Sequence, residues 1–65
     1  MDIITYLRNL IKAKKEQRDN LRNSLIECDT KDERRAIQET INSLDTEIAE
    51  AEAQLTEQER SADPN

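Results

Sequence analysis

Apolar residues recur at Ile4, Leu7 and Ile11, and again at Leu21, Leu25 and Cys28, with Lys14 and Arg18 filling the intervening positions of the same three-four spacing. That spacing keeps one stripe of an α-helix facing a partner. A second run, Ile37, Ile41, Leu44, Ile48, Ala51 and Leu55, repeats it without interruption. The two runs are out of step. Counting sevens from Ile4 leads to 11, 18, 25 and 32, whereas the second run counts 34, 41, 48 and 55, an offset of two residues. One straight helix through both would lose its seam midway. The chain must therefore either break into a hairpin or continue through a stutter.

The residues at the break favour the hairpin. Thr30-Lys31-Asp32-Glu33 is a capping box, in which the Thr30 hydroxyl accepts from the Glu33 amide and the Glu33 carboxylate reaches back to the Thr30 amide. Asp32 and Glu33 also occupy the positive first turn of the new helix. Asp29 suits a turn, although no Gly or Asn stands near position 28 to stop the first helix sharply. Asp2 is the expected N-cap of the first helix, with Met1 and Tyr6 placed to form a hydrophobic staple. The expected architecture is all-α, an antiparallel two-helix hairpin of coiled-coil type that associates into a larger helical bundle. The hairpin domain spans 1–60, with a helix at about 3–26, a turn at about 27–30 and a helix at about 31–59. Residues 61–65 read as a frayed tail or linker, with Pro64 disfavouring helix at Asp63.

Charge supplies an independent check on antiparallel pairing. Residues 8–22 hold six basic groups (Arg8, Lys12, Lys14, Lys15, Arg18, Arg22) and two acidic ones, Glu16 and Asp19. Residues 45–59 hold six acidic groups (Asp45, Glu47, Glu50, Glu52, Glu57, Glu59) and no basic one. A hairpin sets these blocks side by side, with Leu25 near Ile37, Leu21 near Ile41 and Leu7 near Leu55. Lys14 and Arg18 can then lay their alkyl stems along the seam and reach flanking carboxylates. The predicted helix–helix seam is Ile4, Leu7, Ile11, Leu21, Leu25, Ile37, Ile41, Leu44, Ile48 and Leu55. Ile3 and Leu10 widen the stripe beyond what one partner helix covers, with Tyr6 to one side, and are the predicted oligomer contacts.

Composition removes most chemistry. Glycine and histidine are absent, so there is no phosphate-cradling loop and no imidazole base. A single cysteine permits neither an internal disulfide nor a multi-cysteine zinc site. Cys28 reads as a small buried hydrophobe, and Glu47, Glu50 and Glu52 as a solvated acidic face rather than metal ligands. Neither catalytic residues nor a cofactor or metal site is expected, and the chain does not read as an enzyme. The basic block lacks interleaved aromatics and the net charge is −5, so nucleic-acid binding is not expected. No apolar run approaches a membrane span. With no export signal at the start, a cytoplasmic location is expected. A chain this small, without disulfide or metal, is expected to gain stability by self-association as a homo-oligomer.

The stretch from Asp32 to Leu55 also resembles a known family. Glu33, Arg35, Ala36, Ile37, Ile41, Leu44, Glu47, Ile48, Glu52, Ala53 and Leu55 follow the form of the second helix in the N-terminal scaffold-like (delta) region of tailed-phage major capsid protein precursors of the Hong Kong 97 type, and the basic first helix suits that segment too. The resemblance runs from about Ile3 to Gln58. It implies a segment that assists capsomer and procapsid assembly, with capsid-precursor neighbours as partners and removal by a phage protease in many members. It also implies that the chain is a fragment or a released segment of a longer protein, acting in the host cytoplasm and the procapsid interior. No catalytic or ligand position carries over. The alternative is a free-standing cytosolic coiled coil that serves as a dimerisation or adaptor module.

Overall fold

The computed structural model describes residues 2–62, which form two helices, α1 (Ile3–Glu27) and α2 (Lys31–Ala62), packed against each other as a hairpin. The molecule is a rod of 53 × 17 × 14 Å. Its radius of gyration is 15.3 Å, against roughly 11 Å for a globular domain of this length. The long dimension is that of α2 itself, since 32 helical residues rising ~1.5 Å each cover about 48 Å.

Each helix start has a side-chain cap. Asp2 adopts an extended backbone (φ −84°, ψ 165°), and its Oδ1 accepts the Thr5 amide at 2.7 Å. Its carbonyl accepts the Tyr6 amide at 3.0 Å, which begins the helical ladder. The staple expected between Met1 and Tyr6 involves Met1, which lies outside the described residues. At the start of α2, Thr30 Oγ1 accepts the Glu33 amide at 3.3 Å. The reciprocal half of the expected capping box does not form. Glu33 Oε2 instead accepts from the Cys28 thiol at 3.1 Å, because the turn folds that thiol back over the first turn of α2.

Cys28 ends α1 in an extended conformation (φ −77°, ψ 132°), and its amide donates to the Leu25 carbonyl at 3.4 Å. No described residue has positive φ. The reversal therefore needs no left-handed C-cap. An extended Cys28, with Asp29 and Thr30, leads straight from the end of one helix into the N-cap of the next. Arg34 fastens this junction by donating from Nε to the Cys28 carbonyl at 3.1 Å.

The helix limits differ from expectation at two places. α1 includes Glu27, and α2 continues through Ala62, so Ser61 and Ala62 are helical rather than part of a tail. Nothing between Glu57 and Ala62 interrupts a helix, and Arg60 is a cation in the negative last turn. The rest of the expected tail, 63–65, lies outside the described residues.

The core is one seam deep. Leu7, Ile11, Cys28, Ile41, Leu44, Ile48 and Ala51 are buried, and Ile11, Ile48 and Ala51 form a cluster with Leu55 packed against it. The other seam positions, Ile4, Leu21, Leu25, Ile37 and Leu55, are half-buried. A two-helix seam has no second layer to close over them.

Candidate helix association surface

Ion pairs lock the register of the seam. Arg8 Nη2 meets Glu59 Oε2 at 2.7 Å, Lys14 Nζ meets Glu47 Oε2 at 3.3 Å, Lys15 Nζ meets Glu52 Oε2 at 3.3 Å, and Arg18 Nη1 meets Asp45 Oδ1 at 2.9 Å. In each pair the partners stand at nearly mirror-image positions about the turn, the geometry of an antiparallel hairpin. Exposed pairs of this kind contribute only about 0–1 kcal/mol each. Their effect is on orientation: a slip of one helical turn would separate all of them together.

Lys14 and Arg18 sit at seam positions with their side chains 23% and 21% exposed. Their carbon stems cover the interior while their charged ends reach Glu47 and Asp45 at the margin. Arg18 Nε is buried without a hydrogen-bond partner. The middle of the hairpin thus carries a layer of charge between two apolar stretches. Such a layer narrows the set of alternative registers and weakens packing where it occurs.

Of the predicted oligomer contacts, Ile3 is 50% exposed and Leu10 is half-buried. Tyr6 is 51% exposed on the same side. At the opposite end, Ile26 is 78% exposed and borders an open groove with Leu25, Arg34, Arg35, Gln38 and Glu39. Ile26 falls outside the three-four spacing of the seam, next to a turn held by the Cys28 and Arg34 contacts.

Among the described residues, Asp2 and Cys28 depart from their ordinary behaviour. The Asp2 carboxyl is held below its usual range by the hydrogen bond from the Thr5 amide, which stabilises the carboxylate. The Cys28 thiol is pushed up, first by donating to the Glu33 carboxylate and then by burial. Deprotonating it would place a thiolate beside a carboxylate, so this sulfur is a poor nucleophile. Glu47 and Glu52 point toward Lys14 and Lys15, and among the described residues no three His, Cys, Asp or Glu side chains converge as a metal site. Among the described residues no helix is long and apolar enough to cross a membrane. The chemistry this arrangement offers is packing: a rigid rod with apolar side chains left over at each end.

Comparison of the chain with protein-family models, with curated proteins and with solved structures returned no match.

Proposed function

We propose that the hairpin is a structural element acting by reversible helix–helix association, in the manner of the scaffold-like N-terminal segment of a tailed-phage major capsid precursor. The observation that carries this reading is the surplus of apolar surface at the N-terminal end of α1, where Ile3 and Tyr6 are each half exposed on a rod whose single seam is already filled. In a capsid precursor, hairpins borne on neighbouring subunits would meet through such surfaces, bringing subunits together at high local concentration while each contact stays weak. The partners are then other copies and capsid-precursor neighbours, in the host cytoplasm and the procapsid interior.

The gene tests this directly. A reading frame that continues past Asn65 into a β-rich domain supports the capsid reading, and deleting residues 2–60 from that product should abolish procapsid-sized particles. A stop codon after Asn65, or particles that form normally without the hairpin, would reject it. The second reading is a free-standing dimerisation or adaptor coiled coil. It is favoured by the self-sufficiency of the hairpin, which supplies a side-chain cap for each helix start and its own ladder of ion pairs.

A further inference from the structure

The two edges of the seam are chemically unlike. Along one edge of α2, Asp45, Glu52 and Glu59 stand seven residues apart, and all three are paired with cations of α1. Along the other edge, α1 presents Ile3, Leu10, Gln17 and Ser24, also seven apart. Tyr6, Ala13 and Asn20 lie between them at three-four spacing, so this second stripe carries no charge from Ile3 to Ser24. The α2 residues flanking the same edge are Thr40, Glu47 and Gln54, and Glu47 is neutralised by Lys14 at 3.3 Å.

We infer that the first three turns of this stripe, Ile3, Tyr6, Leu10 and Ala13, form the contact between two copies of the chain, α1 against α1. This rests on the association reading above and names its surface. The occupant follows from the chemistry of the patch. An apolar, uncharged stripe needs an apolar, uncharged partner. The outer face of α2 offers exposed Glu39, Glu50 and Glu57, and that of α1 exposed Lys12 and Arg22. The same stripe on a second copy does match, and a two-fold axis sets it against itself in a closed contact. With the edge cations tied up on the far side in three of the four ion pairs, the stripe itself sets no charge against its copy.

The apolar part of the stripe spans only about three turns, so the dimer is weak and exchanges freely.

Sedimentation equilibrium of the full chain, from tens to hundreds of micromolar, tests the surface. The wild-type chain should show a monomer–dimer equilibrium. Tyr6→Glu and Leu10→Glu should each weaken it by at least roughly tenfold, with helix content by circular dichroism unchanged. Ile26→Glu, at an apolar residue more exposed than either but off the stripe, should change it by less than about twofold. A wild-type dimer that is indifferent to Tyr6→Glu and Leu10→Glu, or that Ile26→Glu weakens as much, overturns this surface and leaves association standing. A wild-type chain that stays monomeric throughout removes both.

Discussion

Arg18 Nη1 donates to Asp45 Oδ1 at 2.9 Å across the middle of the hairpin, while Nε of the same guanidinium is buried without a partner. One side chain therefore both aligns the helices and leaves a polar atom unsatisfied inside the seam. An unpaired buried donor costs on the order of 1–3 kcal/mol, whereas the partly exposed pair returns less than that. The balance favours specificity over stability at this position.

Arg18→Leu should accordingly raise the unfolding free energy by about 1 kcal/mol, replacing a mismatched charge with packing. It should also loosen the choice of register and partner, giving a tighter but less uniform assembly. Thermal unfolding followed at 222 nm, together with sedimentation, reads both effects. A lower melting temperature for Arg18→Leu would contradict the argument. Asp45→Ala should act in the opposite direction, since it strands the guanidinium.

The seam cluster has a different signature. Ile48 is 3% exposed and packs with Ile11 and Ala51. Ile48→Ala should lower stability by about 2–4 kcal/mol, the usual range for deleting a buried aliphatic side chain. In a hairpin this small that is enough to unfold much of the population. Ile26→Ala, at 78% exposure, should stay within about 0.5 kcal/mol of wild type. Urea unfolding of the two variants side by side measures the contrast. Equal losses would mean that the seam does not run where Ile48 places it.

The hairpin is legible in the sequence because two signals of different origin agree. The two-residue offset between the apolar runs is a matter of geometry, and Thr30-Lys31-Asp32-Glu33 is local hydrogen-bond chemistry; each alone would admit a stutter. Segregated charge then orients the helices, and the ion pairs of Arg8 with Glu59 and Lys15 with Glu52 join the basic block to the acidic one. What spacing does not show is contact made through the turn. Glu33 serves Cys28 rather than the Thr30 amide because the thiol arrives from the other helix, and a motif read along one chain segment has no term for that neighbour. Spacing also does not show depth. Ile4 and Leu7 occupy equivalent seam positions, yet Leu7 is 2% exposed while Ile4 is only half-buried near the open end of the rod.

The N-terminal cap titrates. Because the folded Asp2 carboxyl lies below its ordinary value of 3.8, its stabilising contribution is present above that value and is lost as pH falls through the depressed folded value. The Thr5 amide, which donates to Asp2 Oδ1, should report this as an NMR shift with its midpoint below 3.8. Asp2→Asn keeps a capping oxygen and should flatten the acid transition at that amide. A Thr5 midpoint at or above the ordinary carboxylate value would mean the cap hydrogen bond is not made in solution.

Cys28 responds at the other end of the pH scale. Its folded value is raised above the ordinary 9.0 by the Glu33 carboxylate and by burial, so the stability it brings is complete below 9.0 and is lost as pH rises through the higher folded value. Thiolate absorbance at 240 nm should appear later in the folded chain than in urea. A disulfide reagent at pH 8 should label the native thiol more slowly than the unfolded one. Glu33→Gln removes the negative charge facing the sulfur while leaving an amide oxygen able to accept, so the thiolate should form at a lower pH and labelling should accelerate. If Glu33→Gln leaves both the absorbance midpoint and the labelling rate where they were, then burial rather than the carboxylate holds the thiol protonated, and the Cys28–Glu33 contact does not control the turn.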